Sequence, residues 1–241
     1  MKLNKKFFIE SLILLILGGL TSLSLPPFNF FFINFFTFSI FFSFLIKKLK
    51  FQTNKKFFFY YGWLFGFGYF LASLYWITIS LTFDKDLNFL IPIGIILVPS
   101  FLAIFYGLAT LILYLYDPRN LLSAFFLFSS LLGFTEFIRG NILTGFPWNL
   151  IIYSLSEELT FISIISIVGT YSLNLVMISL FTLPALFILR QSKKEIFICI
   201  IFLLLPIFFF TFGTFKEKRF LNNEIKQSPY IFRVIGSNIN L

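Results

Sequence analysis

Histidine is absent from the 241-residue chain, and cysteine occurs once, at Cys199. Without histidine there is no Ser-His-Asp or Cys-His nucleophile system, and most zinc sites lose a common ligand. A lone cysteine forms no disulfide within the chain. Cys199 sits in Ile-Phe-Ile-Cys-Ile-Ile-Phe, an apolar setting where a thiol is a small buried hydrophobe rather than a reactive thiolate. Charge is scarce too, at 12% of residues against 59% hydrophobic. With a mean hydropathy of +0.94, a soluble domain of this length could not bury its apolar surface. A polytopic membrane protein can, because lipid is its solvent.

Phenylalanine is abundant, with 41 residues. With many Ile, Lys and Asn, it reads as a bias toward A/T-rich codons, each ring facing lipid or another helix. The net charge of +9 would suit nucleic acid if the charges clustered on one face. They flank apolar segments instead, so membrane topology explains them and no nucleic-acid partner is expected. No cofactor and no metal site are expected either.

The stretch from Glu136 to Tyr153 stands out against this apolar background. Glu136 and Arg139 are three residues apart, which puts a carboxylate and a guanidinium on one helix face. The turn Gly145-Phe146-Pro147-Trp148-Asn149 comes next. Gly145 permits an unusual backbone, Pro147 fixes φ and removes a donor, and Trp148 prefers a membrane–water boundary. This reads as a loop at the bilayer surface.

The hydropathy pattern predicts an all-α integral membrane protein of about seven transmembrane helices. The first run leads from Lys6 to Leu25, with Glu10 able to snorkel or to pair with Lys6. Pro26-Pro27 ends it, since the residue before a proline avoids the helical region. Further runs span Phe28–Ile46, Phe57–Leu81, Phe89–Tyr116, Leu121–Ile138, Phe161–Leu189 and Ile196–Phe215. Gly62 and Gly66 form a G-x-x-x-G pair, a face that another helix can approach closely. Tyr75 and Trp76 belong to an interfacial belt. Residues 1–215 form the membrane domain, and 216–241 a polar linker that turns β-like.

Lysine and arginine divide 12 against 2 between alternate connections. The positive-inside rule then puts the N-terminus in the cytoplasm. The Pro26-Pro27 break, the Asp84 loop, the Gly145 loop and the C-terminal tail face outward. No internal repeat is visible, which weighs against a transporter.

Three segments in order carry a resemblance: Leu-Ser-Leu-Pro-Pro-Phe (23–28), Gly-Phe-Gly-Tyr-Phe-Leu-Ala-Ser-Leu-Tyr-Trp-Ile (66–77) and Glu-Phe-Ile-Arg-Gly-Asn-Ile-Leu-Thr-Gly-Phe-Pro-Trp-Asn-Leu (136–150). Together they resemble bacterial apolipoprotein N-acyltransferase. The resemblance implies a membrane portion carrying a periplasmic nitrilase-like domain before its last helix. It implies acyl transfer from a phospholipid to the α-amine of a lipoprotein's diacylglyceryl-cysteine, through a thioester on a Glu-Lys-Cys set. Phe232 to Ile239 is similar to that domain's first strand, departing at Gly236 and Ser237. No residue here matches the catalytic Glu, Lys or Cys, and Cys199 precedes the domain. The chain is therefore expected to be inactive alone, as a truncated or split enzyme whose partner is a separately encoded nitrilase-like domain. The resemblance places it in the bacterial inner membrane with a periplasmic tail. Pro26, Pro27, Tyr75, Trp76, Glu136, Arg139, Gly145, Phe146, Pro147, Trp148 and Asn149 are the candidates to face phospholipid or lipoprotein. A non-catalytic membrane scaffold or transporter is the alternative.

Overall fold

The computed structural model describes residues 5–51, 54–142, 145–223 and 233. Those residues are mostly helical, joined by turns and irregular segments, with no strand among them. The β-like segment read from the tail lies outside the described residues apart from Arg233, which is exposed. The helices are α1 (Lys5–Ser22), α2 (Ile33–Lys50), α3 (Lys55–Leu74), α4 (Ile91–Tyr116), α5 (Leu121–Asn141), the short α6 (Leu159–Ile162) and α7 (Ile165–Val168), α8 (Thr170–Ile188) and α9 (Lys193–Leu221). Among the described residues, five segments are long and apolar enough to cross a membrane: Lys55–Phe83, Lys85–Tyr116, Leu121–Asn141, Thr170–Ile188 and Lys193–Leu221. Helices α1 and α2 have 18 residues each, roughly 27 Å of rise. Each carries three charged residues, which lie at or near one end of the helix.

Backbone-to-backbone approach at glycines holds the centre together. A Cβ on Gly18 of α1 would lie 1.9 Å from the Phe65 carbonyl oxygen, and one on Gly68 of α3 would lie 2.1 Å from that of Leu15. Gly62 and Gly66 do form a close-approach face, and α4 fills it with Tyr106 and Thr110. The Thr110 hydroxyl donates to the Phe58 carbonyl at 2.7 Å, across that same contact. Ser39 of α2 bridges to α8, donating to the Phe181 carbonyl and accepting from the Ala185 N–H, both at 3.2 Å. Between these contacts phenylalanines stack, as Phe41 does on Phe65 with centroids 4.1 Å apart.

Several expected boundaries move, each for a local reason. The third run stops being α-helical at Leu74 rather than Leu81, and Tyr75–Phe83 winds as 3₁₀ turns. There Thr78, Ser80 and Thr82 return their hydroxyls to the carbonyls of Tyr75, Ile77 and Ile79, a bond that competes with regular helix. The next helix starts at Ile91 with Pro92 in its first turn, where a missing N–H costs nothing. The sixth run divides at Gly169, which adopts φ +80°; α6 and α7 precede it and α8 comes after. The seventh continues past Phe215 to Leu221, capped at its start by Ser192 and Glu195 bonding each other's backbone, with Lys218 and Arg219 in its last turn. Glu10 pairs with Lys48 of α2 rather than with Lys6, which ties the basic ends of α1 and α2 together.

Candidate functional site

Glu136 and Arg139 lie one turn apart on α5, and the rest of the fold closes over them. Their side chains are 0% and 1% exposed. Arg139 donates through Nε and Nη2 to one carboxylate oxygen of Glu136. Its remaining arm, Nη1, donates to the carbonyls of Phe146 at 2.6 Å and Trp148 at 3.0 Å. The guanidinium also lies 5.1 Å from the centre of the Phe70 ring. A buried charge pair is tolerable only when its remaining donors are satisfied. Arginine's planar fork does this while holding two carbonyls of the adjoining loop. The pair therefore braces the loop from beneath and does not open to lipid.

The loop is shaped residue by residue. Gly145 has φ +70°, and a Cβ there would lie 2.7 Å from the Gly140 carbonyl oxygen. Its N–H donates to Ile142, and the Phe146 N–H donates to Arg139, closing the turn back onto α5. Phe146 packs against the core. Asn149, at φ 60°, donates its amide to the Ser73 hydroxyl and accepts at its carbonyl from the Tyr69 hydroxyl, both at 2.7 Å. Leu150, Ile151 and Ile152 are buried behind it, and the Asn174 side chain of α8 accepts the Ile152 N–H at 3.0 Å. With both ends anchored, Pro147 and Trp148 are left at the surface. The Trp148 ring meets that of Trp76 edge to face, centroids 6.3 Å apart.

Between these groups lies a cavity of about 630 Å³. The α1–α2 connection contributes Pro26, Pro27 and Phe28, and the Pro26–Pro27 peptide is cis. The end of α3 contributes Ser73, and the 3₁₀ turns after it contribute Tyr75 and Trp76. The loop after α5 and the 3₁₀ turn behind it contribute Pro147, Trp148, Asn149 and Tyr153. Asn29 donates to Glu157 across the rim, linking the first and last of these segments. Among the described residues no charged side chain lines the cavity. Burial pushes the Tyr153 phenol above its ordinary range.

Seven of the eleven sequence candidates therefore meet in one place: Pro26, Pro27, Tyr75, Trp76, Pro147, Trp148 and Asn149. Gly145 and Phe146 shape the loop, while Glu136 and Arg139 lie below it. Sequence reasoning missed Ser73, Tyr153, Tyr69 and Asn174. Ser73 and Tyr69 lie within one of the recognised segments, so they were within reach. Asn174 is the one amide side chain in an apolar run, and only its bond to Ile152 gives it a role.

The segments that build this cavity lie in a stretch, residues 17–183, that matches the family model of the apolipoprotein N-acyltransferase N-terminal domain. The chain belongs to the apolipoprotein N-acyltransferase family. It is 36% identical over 187 residues to the apolipoprotein N-acyltransferase of Rhodopseudomonas palustris, covering 74% of this chain and 34% of the relative. It is 33% identical over 196 residues to that of Rhizobium etli, covering 78% and 36%. It is 32% identical over 184 residues to that of Allorhizobium ampelinum, covering 73% and 34%. The chain thus matches about a third of the length of these relatives.

An uncharged, aromatic-rimmed cavity suits apolar or neutral parts of a ligand, because a bare charge placed there would lose hydration without a partner. The chain also holds one thiol, Cys199 on α9, which is 5% exposed and does not line this cavity.

Proposed function

We propose that this chain is the membrane portion of an apolipoprotein N-acyltransferase, an enzyme that moves an acyl chain from a phospholipid to the N-terminal diacylglyceryl-cysteine of lipoproteins. In this reading the chain is a multi-pass protein of the bacterial inner membrane, N-terminus inside. The cavity walled by Pro26, Pro27, Tyr75, Trp76, Pro147, Trp148 and Asn149 opens on the periplasmic side. It serves as the floor on which acyl chains of donor and lipoprotein rest. The observation that carries the reading is that three separate recognised segments converge on this single uncharged cavity. Glu136, Arg139, Gly145 and Phe146 contribute by holding the loop in shape.

Acyl transfer through a covalent intermediate needs an activated nucleophile. Cys199 is buried among Ile and Phe, where a thiolate is costly, and the chain has no histidine to act as its base. The chemistry is therefore assigned to a nitrilase-like domain, supplied beyond residue 241 or on a separate chain, and these 241 residues alone are inactive.

Complementation of a strain depleted of the acyltransferase tests this. Triacylated lipoprotein should appear when the chain is joined to or expressed with a nitrilase-like domain, and should fail when Trp148 and Trp76 are both changed to Ala. Triacylated lipoprotein made by the chain alone would overturn the division of labour. Orientation is read separately by cysteine labelling in a Cys199→Ser background. A cysteine at position 52 should resist an impermeant reagent added from outside.

A further inference from the structure

A second concave surface lies apart from the cavity, where α6 crosses the far end of α9. A Cβ on Gly213 of α9 would lie 1.7 Å from the Thr160 carbonyl oxygen, so the two backbones touch and fix the groove beside them. The groove holds about 730 Å³. Its apolar wall is Leu159, Phe212 and Phe215, and its polar wall carries Lys216 and Arg219. Lys216 is oriented: its amine donates to the Ser166 hydroxyl and lies 5.6 Å from the centre of the Phe212 ring. Among the described residues the lining holds one carboxylate, Glu217, which accepts a hydrogen bond from Thr160 at 3.2 Å, and the two cations outnumber it.

We propose that this groove binds a membrane phospholipid, its phosphate between Lys216 and Arg219 and an acyl chain along Leu159, Phe212 and Phe215. Three observations carry this. The groove lies where an apolar span gives way to charge, which is the level of a lipid headgroup. Its two walls reproduce the two halves of a phospholipid, a cationic one for phosphate and an apolar one for chain. And in the orientation proposed above, this end of α9 faces outward, where the chain before α9 places only Lys85 and the buried Arg139, against 12 basic residues on the other side. Lys216, Lys218 and Arg219 together go against that bias. Complementing the helix dipole accounts for Lys218 and Arg219 in the last turn. It does not account for Lys216, which is turned into the groove, and an anionic partner does. The cationic wall lies outside residues 17–183, the stretch that the family model matches, and no residue lines both this groove and the cavity over which acyl transfer is proposed.

The test is lipid titration of the full 241-residue chain in detergent, read by native mass spectrometry. Phosphatidylglycerol should bind the wild-type chain more tightly than diacylglycerol with the same chains, which lacks only the phosphate headgroup. The double variant K216Q/R219Q should lose about thirtyfold in affinity for phosphatidylglycerol, from two cations at about 1 kcal/mol each. K216R/R219K should restore it, and K193Q/K194Q, at the other end of α9, should change nothing. Equal affinity for phosphatidylglycerol and diacylglycerol, or an unchanged K216Q/R219Q, would overturn the proposal. So would displacement of the lipid by millimolar inorganic phosphate, which would mark a free-anion site. The wild-type lipid comparison and the phosphate competition stand even if the double variant does not fold. Since the readout is lipid retention, it is independent of whether the chain takes part in acyl transfer.

Discussion

Helices α8 and α9 are both apolar spans, yet the less hydrophobic of the two is the buried one. The span in α8 has a mean hydropathy of 1.8 and is 61% buried; that in α9 reaches 2.8 and is 17% buried. In water the order would be reversed. In a bilayer, lipid tails solvate Leu and Phe as well as a protein core does, so apolarity does not draw helices together. Close contact and polar ties do. Helix α8 carries Asn174, which anchors Ile152, and its backbone is tied to Ser39 of α2 through Phe181 and Ala185. Two glycines of α5, Gly133 and Gly140, let α8 approach through Leu175 and Tyr171. Along α9 the outward side chains are Phe, Ile and Leu, from Phe197 to Phe210. The α8 side of the molecule holds the loop and cavity; the α9 side presents itself to lipid.

If polar ties hold the first region, Arg139→Ala should be the most damaging single change. It leaves the buried Glu136 carboxylate unpaired and releases the Phe146 and Trp148 carbonyls. A loss of about 3–5 kcal/mol is expected, read as unfolding in detergent, with Trp148 fluorescence shifting as the loop is freed. A loss below about 1 kcal/mol would mean that the pair behaves as an exposed one. Backbone contact comes next. Gly18→Ala places a methyl 1.9 Å from the Phe65 oxygen, and α1 and α3 must part, at about 2–3 kcal/mol. Unchanged stability would show that the α1–α3 contact is softer than its geometry.

The comparison of Gly145 with Gly94 sharpens the point within one class of substitution. Gly145→Ala imposes a left-handed conformation on a residue with a Cβ, costing about 1–2 kcal/mol, and meets the Gly140 carbonyl as well. Gly94 has no such φ, and its nearest neighbour is the methyl of Thr78 at 3.2 Å. Gly94→Ala should stay within about 0.5 kcal/mol. In a full-length relative carrying the same motif, only the first should lower lipoprotein acylation; equal, mild effects would reduce the loop to a connector. The smallest effect belongs to α9. Leu203→Ala, on its lipid-facing side, should also change stability by no more than about 0.5 kcal/mol. A large effect there would mean that a protein surface, not lipid, covers that face.

How far the site is legible in the sequence depends on the range of the forces involved. The turn at Gly145 was legible because a left-handed φ and a proline are local constraints. The breaks at Leu74 and Gly169 were harder, since each lies inside an unbroken apolar run. The hydroxyls of Thr78, Ser80 and Thr82 that favour 3₁₀ turns look like ordinary span residues until their bonds are seen. Arg139 was legible as a partner of Glu136 at one helical turn. Its grip on the loop carbonyls was not, because that depends on where residues 146–148 return.

The sequence by itself determined the class of the molecule. Hydropathy and the bilayer's demand that backbone groups bond within their own helix act over one segment at a time. The caps at Asn54, Asn120 and Ser192 are of the same kind. Only the tertiary structure decided that Pro26, Trp76 and Trp148 share a cavity, that Glu10 reaches Lys48, and that α8 is enclosed while α9 faces outward. Those outcomes depend on the rotation and register of each helix against its neighbours. With lipid as apolar as the core, hydropathy leaves rotation and register open. They are settled by small-residue contacts and a few long-range hydrogen bonds.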